Sequence, residues 1–241
     1  MSHHKIEIQD LCFTYPDGRR AIRDASFSIY HGESVGIIGA NGAGKSTLLM
    51  LLMGILQADT GEINIGDMRL TKKTIPLIRR RIGLVFQDPD DQLFMTTVGE
   101  DVAFGPRNLG LTEDEVEERV AAALAQVGIL HLASRAPSRL SGGEKRAAAI
   151  ASVLSLRPDI LIMDEPTASL DPKSRRRVMT LLRDVMGTGL LTTSRGVSWT
   201  LGFLTTLLTV PEYNNQMPYS NLLIDFKKNE SYLRGQLYGA L

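Results

Sequence analysis

Hydrophobic positions along the chain follow two periods. Ile6, Ile8, Phe27 and Ile29 stand at every second position among polar neighbours, with the turn signal Pro16-Asp17-Gly18 between the two pairs, which predicts antiparallel strands. The continuous apolar run Val35-Gly36-Ile37-Ile38 reads as a buried strand, and Leu48-Leu49-Met50-Leu51-Leu52, beyond a glycine-rich stretch, as an apolar helix that ends near Gly54. Thr60 to Gly66 alternates again between glycines, as a short hairpin would. Arg81 to Gln87 is an apolar strand that ends on a polar amide. Thr112 to Glu115 has capping-box spacing, and Val116, Val120, Ala123, Leu124 and Val127 carry a helical stripe on to Gly128. No strand signal follows Gln87 before Leu140, so residues 88–140 are expected to form an inserted helical subdomain. Asp159 to Pro166 is an apolar strand ending in two carboxylates. Asp171 and Pro172 then open a helix that runs from Lys173 to about Met186, with Arg175, Arg176 and Arg177 expected on its solvated face.

Composition narrows the function classes. The 241 residues are 43% hydrophobic, enough to bury the core of one α/β domain or of a core with a smaller subdomain. Lys plus Arg and Asp plus Glu number 27 each, so no global field points to nucleic acid or to an anionic membrane surface. The single cysteine, Cys12, excludes an internal disulfide framework and is expected in the core. Met1 to Asp10 has no apolar signal region, and the run Trp199 to Val210 is too short and too interrupted to span a bilayer; a soluble or peripheral chain is expected.

Chemistry concentrates where strands end. Gly39-Ala40-Asn41-Gly42-Ala43-Gly44-Lys45-Ser46-Thr47 lies between strand and helix and fits the phosphate-binding loop. Its glycines permit close backbone approach, so successive N–H groups and the helix N-terminus can wrap phosphate oxygens. Lys45 supplies a point charge for β- and γ-phosphates, and the Ser46 hydroxyl a ligand for Mg²⁺. Beside such a loop, Asp164 reads as the Mg²⁺-side carboxylate and Glu165 as the group that polarises the attacking water; an ion pair is the bland alternative. Gln87 sits at a strand end, where ligand groups collect. Tyr15 could stack on a base or simply pack. Leu140-Ser141-Gly142-Gly143-Glu144 supports two readings equally, a capping box or a helix end opened by glycines to an approaching anion.

Taken together, Tyr15, the glycine loop, Gln87, Leu140 to Glu144, the Asp164-Glu165 strand end and Ser169-Leu170-Asp171 resemble, in order and spacing, the ATP-binding subunit of an ABC transporter. The match runs over residues 5–194. Phe13 to Gly18, Val85 to Phe94 and Glu100 to Leu111 are similar to the energy-coupling-factor group, which includes cobalt and nickel uptake ATPases and shared vitamin-uptake ATPases. The resemblance implies an α/β P-loop NTPase core with an antiparallel β subdomain and the helical insert. It also implies head-to-tail pairing with a second ABC ATPase subunit, identical or paralogous. Ser141, Gly142, Gly143 and Glu144 would then bind the γ-phosphate of the partner's ATP, which resolves the signature stretch towards anion binding, and Asp171 would be a further nucleotide-binding residue. Gln87 would link an integral membrane transport protein, docked on the insert, to Mg²⁺ and the water. The expected location is peripheral, on the cytoplasmic side of the cell membrane, and no nucleic acid partner is expected.

Residues 195–241 depart from this pattern. The family carries a histidine after the last core strand, whereas this chain reads Leu190 to Val197 with Arg195 and Gly196 in its place and has no histidine after His131. A divergent, weakly hydrolysing subunit, an arginine substituting for the histidine, and a frame-shifted tail are the three explanations. The first makes a hydrolysis-impaired regulatory half-site the alternative function. Pro211 to Leu241 is expected to lack the strand-rich ending of the family, and Leu201 to Leu208 would be an aggregation liability if exposed.

Overall fold

The computed structural model describes residues 4–30, 34–38, 42–186, 204–209, 221–225 and 234–236. In chain order the strands and helices begin with β1 (His4–Thr14), β2 (Arg20–Tyr30), β3 (Ser34–Ile38), α1 (Lys45–Leu52), β4 (Thr60–Ile65), β5 (Met68–Arg69) and α2 (Ile75–Arg81). They continue with β6 (Ile82–Val85), α3 (Val98–Asn108), α4 (Glu113–Gln126), α5 (Gly142–Leu154), β7 (Ile160–Met163) and α6 (Pro172–Met186). The last are β8 (Leu204–Thr209), β9 (Asn221–Asp225) and β10 (Arg234–Gln236). Two compact units divide the chain: the first comprises residues 1–82, 159–162 and 191–241, the second 83–158 and 163–190.

The first unit holds an antiparallel sheet in the order β2-β1-β4-β5. The predicted alternation places Ile6, Ile8 and Ile29 in its buried face, while Phe27 is only half-buried. Asp10 and Asp24 take positive φ where the β1–β2 register shifts, so bulges break the period that sequence alone suggests is regular. Cys12 is half-buried rather than a core residue, and its Sγ accepts the Asp24 N–H at 3.3 Å, because one of these bulges turns it off the inner face. The unit's second sheet runs β10-β9-β3-β8-β7, with β3 parallel to β9 and antiparallel to β8. The expected strand-poor ending is therefore corrected: β9 and β10 lie within Pro211 to Leu241, and β8, which takes up most of Leu201 to Leu208, is paired in the sheet. Leu48, Leu51 and Leu52 of α1 are buried, as their apolar run requires.

The second unit gathers α3, α4 and α5, whose buried residues include Val102, Val116, Leu124, Ala148 and Ile150. Gly83 of β6 lets α5 approach, since a Cβ there would lie 2.2 Å from Val153 Cγ1. Capping boxes open α3 at Thr97 and α4 at Thr112. On α6, Asp171 Oδ1 accepts the Lys173 and Ser174 N–H groups at 2.9 and 3.1 Å, the predicted cap. Arg176 and Arg177 are exposed, but Arg175 is half-buried, so the solvated arginine face is narrower than expected.

Candidate nucleotide site

The glycine-loop residues belong to the first unit and the strand-end carboxylates to the second, and each set is described within its own unit. Gly39, Ala40 and Asn41 lie outside the described residues. Gly42 and Gly44 adopt φ values of 79° and 94°, and a Cβ on Gly44 would meet the Ala21 carbonyl oxygen at 2.4 Å. Only glycine fits there, on backbone and steric grounds together. Gly44 is the N-cap of α1, which has no side-chain cap. Ala43 is half-buried, Lys45 and Thr47 are 6% and 7% exposed, and Ser46 is exposed. A buried ammonium at the positive end of a helix is an arrangement suited to an anion. The Tyr15 hydroxyl lies 2.9 Å from Thr47 Oγ1. Its ring stands edge-on to Phe13 at 4.9 Å, and the Arg19 guanidinium covers it at 4.6 Å. Tyr15 thus packs against the loop-bearing helix and keeps an aromatic face that a cation already finds attractive.

In the second unit, Gln87 Nε2 donates to Glu165 Oε2 at 3.0 Å. A carboxylate only accepts, so this bond fixes which amide atom faces Glu165 and leaves Gln87 Oε1 as an oxygen donor. Asp164 donates its backbone N–H to Val85 O at 3.2 Å, fixing the two strand ends together. Glu165 and Ser169 hold φ values of 45° and 59°, a costly conformation for side-chain-bearing residues that recurs at functional turns. Oxygen donors of the hydroxyl, amide and carboxylate kinds, as on Ser46, Gln87 and Asp164, fit a small hard cation such as Mg²⁺.

Of the two readings of the signature stretch, the capping box is seen directly. The Glu144 carboxylate accepts from the Ser141 hydroxyl at 2.7 Å and from the Ser141 N–H at 2.8 Å, completing a capping box. These bonds hold the Glu144 carboxyl below the ordinary carboxylate range. Gly143 has a reason within its own chain, because a Cβ would lie 2.9 Å from Ser174 Oγ. Gly142 has none, its nearest neighbour being Leu170 Cδ2 at an ordinary 3.6 Å. Asp171, committed to its helix, is held below the usual range mainly by the Ser174 side chain and N–H groups.

Sequence reasoning missed Arg146 and Gln92. Arg146, 1% exposed, donates to the carbonyl oxygens of Phe86, at 2.6 Å, and of Gln87. Its burial lowers the guanidinium pKa, partly offset by Asp88. The available signal was an arginine at the head of the apolar run Ala147 to Ala151, where a solvated side chain is out of place. Thr193, Arg195 and Gly196, where the family histidine is looked for, lie outside the described residues.

A strand feeding a glycine loop and helix, with carboxylates at a second strand end, defines a P-loop nucleotide-binding protein. The family profile of the ABC transporters matches residues 22–168, and the chain belongs to that family, whose ATP hydrolysis is coupled to transport. It is 60% identical over 192 residues to an ABC transporter ATP-binding protein of Geobacter sulfurreducens, covering 80% of this chain and 77% of that one. It is 50% identical over 187 residues to the energy-coupling factor transporter ATP-binding protein EcfA of Methanothermobacter thermautotrophicus, covering 77% and 60% of the two chains. Among solved structures, cbiO1 of Clostridium perfringens, part of the ABC transporter complex cbiONQ, is 41% identical with a TM-score of 0.72, covering 77% and 74%. Among the described residues no helix is long and apolar enough to cross a membrane.

Proposed function

We propose that this chain is the ATP-hydrolysing subunit of an energy-coupling-factor importer that powers uptake of a transition-metal ion, cobalt or nickel, or of a vitamin. The similarity to EcfA and to cbiO1 supports the transporter type. The observation that carries the catalytic reading is the 3.0 Å bond from Gln87 to Glu165. Residues 5–194 form the ATPase domain, with the insert at about 88–140, and 195–241 a divergent tail.

In this reading Gly39 to Thr47 hold the phosphates of ATP, Lys45 neutralises the β- and γ-phosphates, and Tyr15 takes the base. Ser46, Gln87 and Asp164 hold Mg²⁺, which supplies charge neutralisation at the transferring phosphoryl group. Glu165 accepts a hydrogen bond from the attacking water, oriented by the amide it already contacts. Ser141, Gly142, Gly143, Glu144 and Asp171 face the ATP of a second ABC ATPase subunit. The absence, among the described residues, of any close contact that would demand a glycine at 142, where Leu170 Cδ2 lies at an ordinary 3.6 Å, supports this over the capping box alone. An integral membrane partner docks on the helical insert, where the exposed rings of Phe94 and Phe104 pair edge to face at 5.0 Å. Nearby, Asp101 Oδ1 accepts the Phe94 and Met95 N–H groups at 2.9 and 3.0 Å and sets that loop. The subunit is thereby peripheral, on the cytoplasmic face of the cell membrane. A hydrolysis-impaired regulatory role is not favoured, since Glu165 and Gln87 are both present and in contact.

The test is ATP-driven uptake of labelled cobalt, nickel and a panel of vitamins into vesicles carrying the reconstituted transporter. Glu165→Gln should abolish uptake and lower kcat for ATP by roughly 10²- to 10⁴-fold, as loss of a positioned base does. Undiminished turnover in Glu165→Gln would sink the catalytic assignment, and a subunit never recovered with membranes would sink the transport one.

A further inference from the structure

The helix opened by the signature and the loop that carries Gln87 are tied at three places. Lys145 Nζ meets Asp90 Oδ1 at 2.6 Å, an exposed pair of little energetic weight. Gln92 accepts the Phe86 N–H on Oε1 at 3.0 Å, while its Nε2 donates to Ala149 O at 2.7 Å and Ser152 Oγ at 2.9 Å. Arg146 makes the third tie, from the first turns of α5 to two successive carbonyls, Phe86 O and Gln87 O, which flank the Gln87 residue. Charge-assisted bonds of this forked kind are strong and directional.

Burying a guanidinium this completely is a poor way to gain stability, and its Nε is buried with no hydrogen-bond partner. A methionine would fill the same space without that cost. What the arginine provides is geometry. We infer that Arg146 is a positioning residue for ATP hydrolysis: its fork fixes the backbone on both sides of Gln87, aims the Gln87 amide at Glu165, and makes that amide follow any displacement of α5. Partner nucleotide engaging the start of α5 is thereby felt at the catalytic carboxylate through two bonded steps, Arg146 to the Gln87 backbone and Gln87 Nε2 to Glu165. The inference rests on the roles proposed above for Gln87 and Glu165.

Steady-state ATP hydrolysis is measured on the full chain in its transporter complex for wild type, Gln87→Ala, Arg146→Met, Arg146→Lys and the Arg146→Met/Gln87→Ala pair, alongside unfolding midpoints. Arg146→Met should lower kcat about tenfold or more with KM for ATP held within about twofold, and the double variant should be no slower than Gln87→Ala alone. Arg146→Lys should fall between, because a compact ammonium lacks the planar fork that spaces two nitrogens to the two carbonyls. An arginine that serves only the fold would shift the midpoint and leave kcat per folded molecule unchanged, or its loss would multiply with that of Gln87→Ala; either result overturns the inference. If Arg146→Met does not fold, the same cycle is run with Arg146→Lys, and wild-type kcat in that variant overturns it. Wild-type kcat in Gln87→Ala removes the role of Gln87 itself and the inference with it. A slow Gln87→Ala beside a fast Arg146→Met removes the coupling alone.

Discussion

Two helices of this protein begin at glycines, and they begin in opposite ways. Helix α1 starts after Gly44 in a left-handed conformation with no side-chain cap and a buried lysine as its first residue. Helix α5 starts after Ser141 with a reciprocal box in which the Glu144 carboxylate occupies the very donors, the Ser141 hydroxyl and N–H, that an anion would seek. The first end carries a buried cation, whereas the second carries an anion of its own. A phosphate reaching α5 would have to displace or share with Glu144, whereas at α1 it would meet a side chain of opposite charge. This difference predicts tight nucleotide retention by the glycine loop and weaker, reversible engagement by the signature.

The sharpest break of this comparison is a pair of glycine substitutions. Gly44→Ala should lose on the order of 2 kcal/mol of stability, from forced left-handed backbone and the clash with Ala21 O, together with nucleotide binding; urea unfolding and ATP titration measure both. Gly142→Ala, in helical backbone with ordinary contacts, should leave the urea midpoint unchanged or raised yet slow turnover in the dimer. Next in size, Ser141→Ala should cost about 1 kcal/mol through loss of the cap, read from the same unfolding curves. The smallest effect concerns pH. Since the folded protein holds Glu144 below the ordinary carboxylate range, its cap is intact above that range and is lost as pH falls through the depressed value. Glu144→Gln should flatten that acidic limb of stability while lowering the KM for ATP in the dimer, because the repelling charge is gone; an unchanged limb would remove the cap argument.

How legible each region was depends on how its packing is made. Helix α4 was readable because its cap and stripe are both local, and β7 because it is apolar throughout. Helix α3 was invisible to periodicity: Gly99, Gly105 and Pro106 are poor helix residues. The two glycines are there because neighbours crowd them, with Ala133 O and Leu156 Cδ2 at 3.1 and 2.6 Å from the positions a Cβ would take. Helix α2 was missed because it is short, ends in three arginines and buries only Ile78. At the site, the glycine loop and the paired carboxylates announced themselves by residue type. Arg146 did not, since its role depends on carbonyl groups some sixty residues away that every residue possesses. Local sequence does not separate capping box from anion site at Gly142, because the difference turns on what surrounds that glycine, where the contact with Leu170 Cδ2 at 3.6 Å is distant in sequence.

The pairing of β3 also has a consequence for how the protein is made. Val35 pairs with Leu207 on one side and Leu222 on the other, so the strand that feeds the glycine loop waits for about 170 residues to be synthesised before it gains either neighbour in the sheet. At 5–20 residues per second that is roughly 10 to 30 s on the ribosome. During that interval the β1–β2 hairpin, whose partners are close in sequence, is able to form. The nascent chain therefore passes through a period in which an apolar strand has two open edges, and β8 and β9 act as the covers that close them.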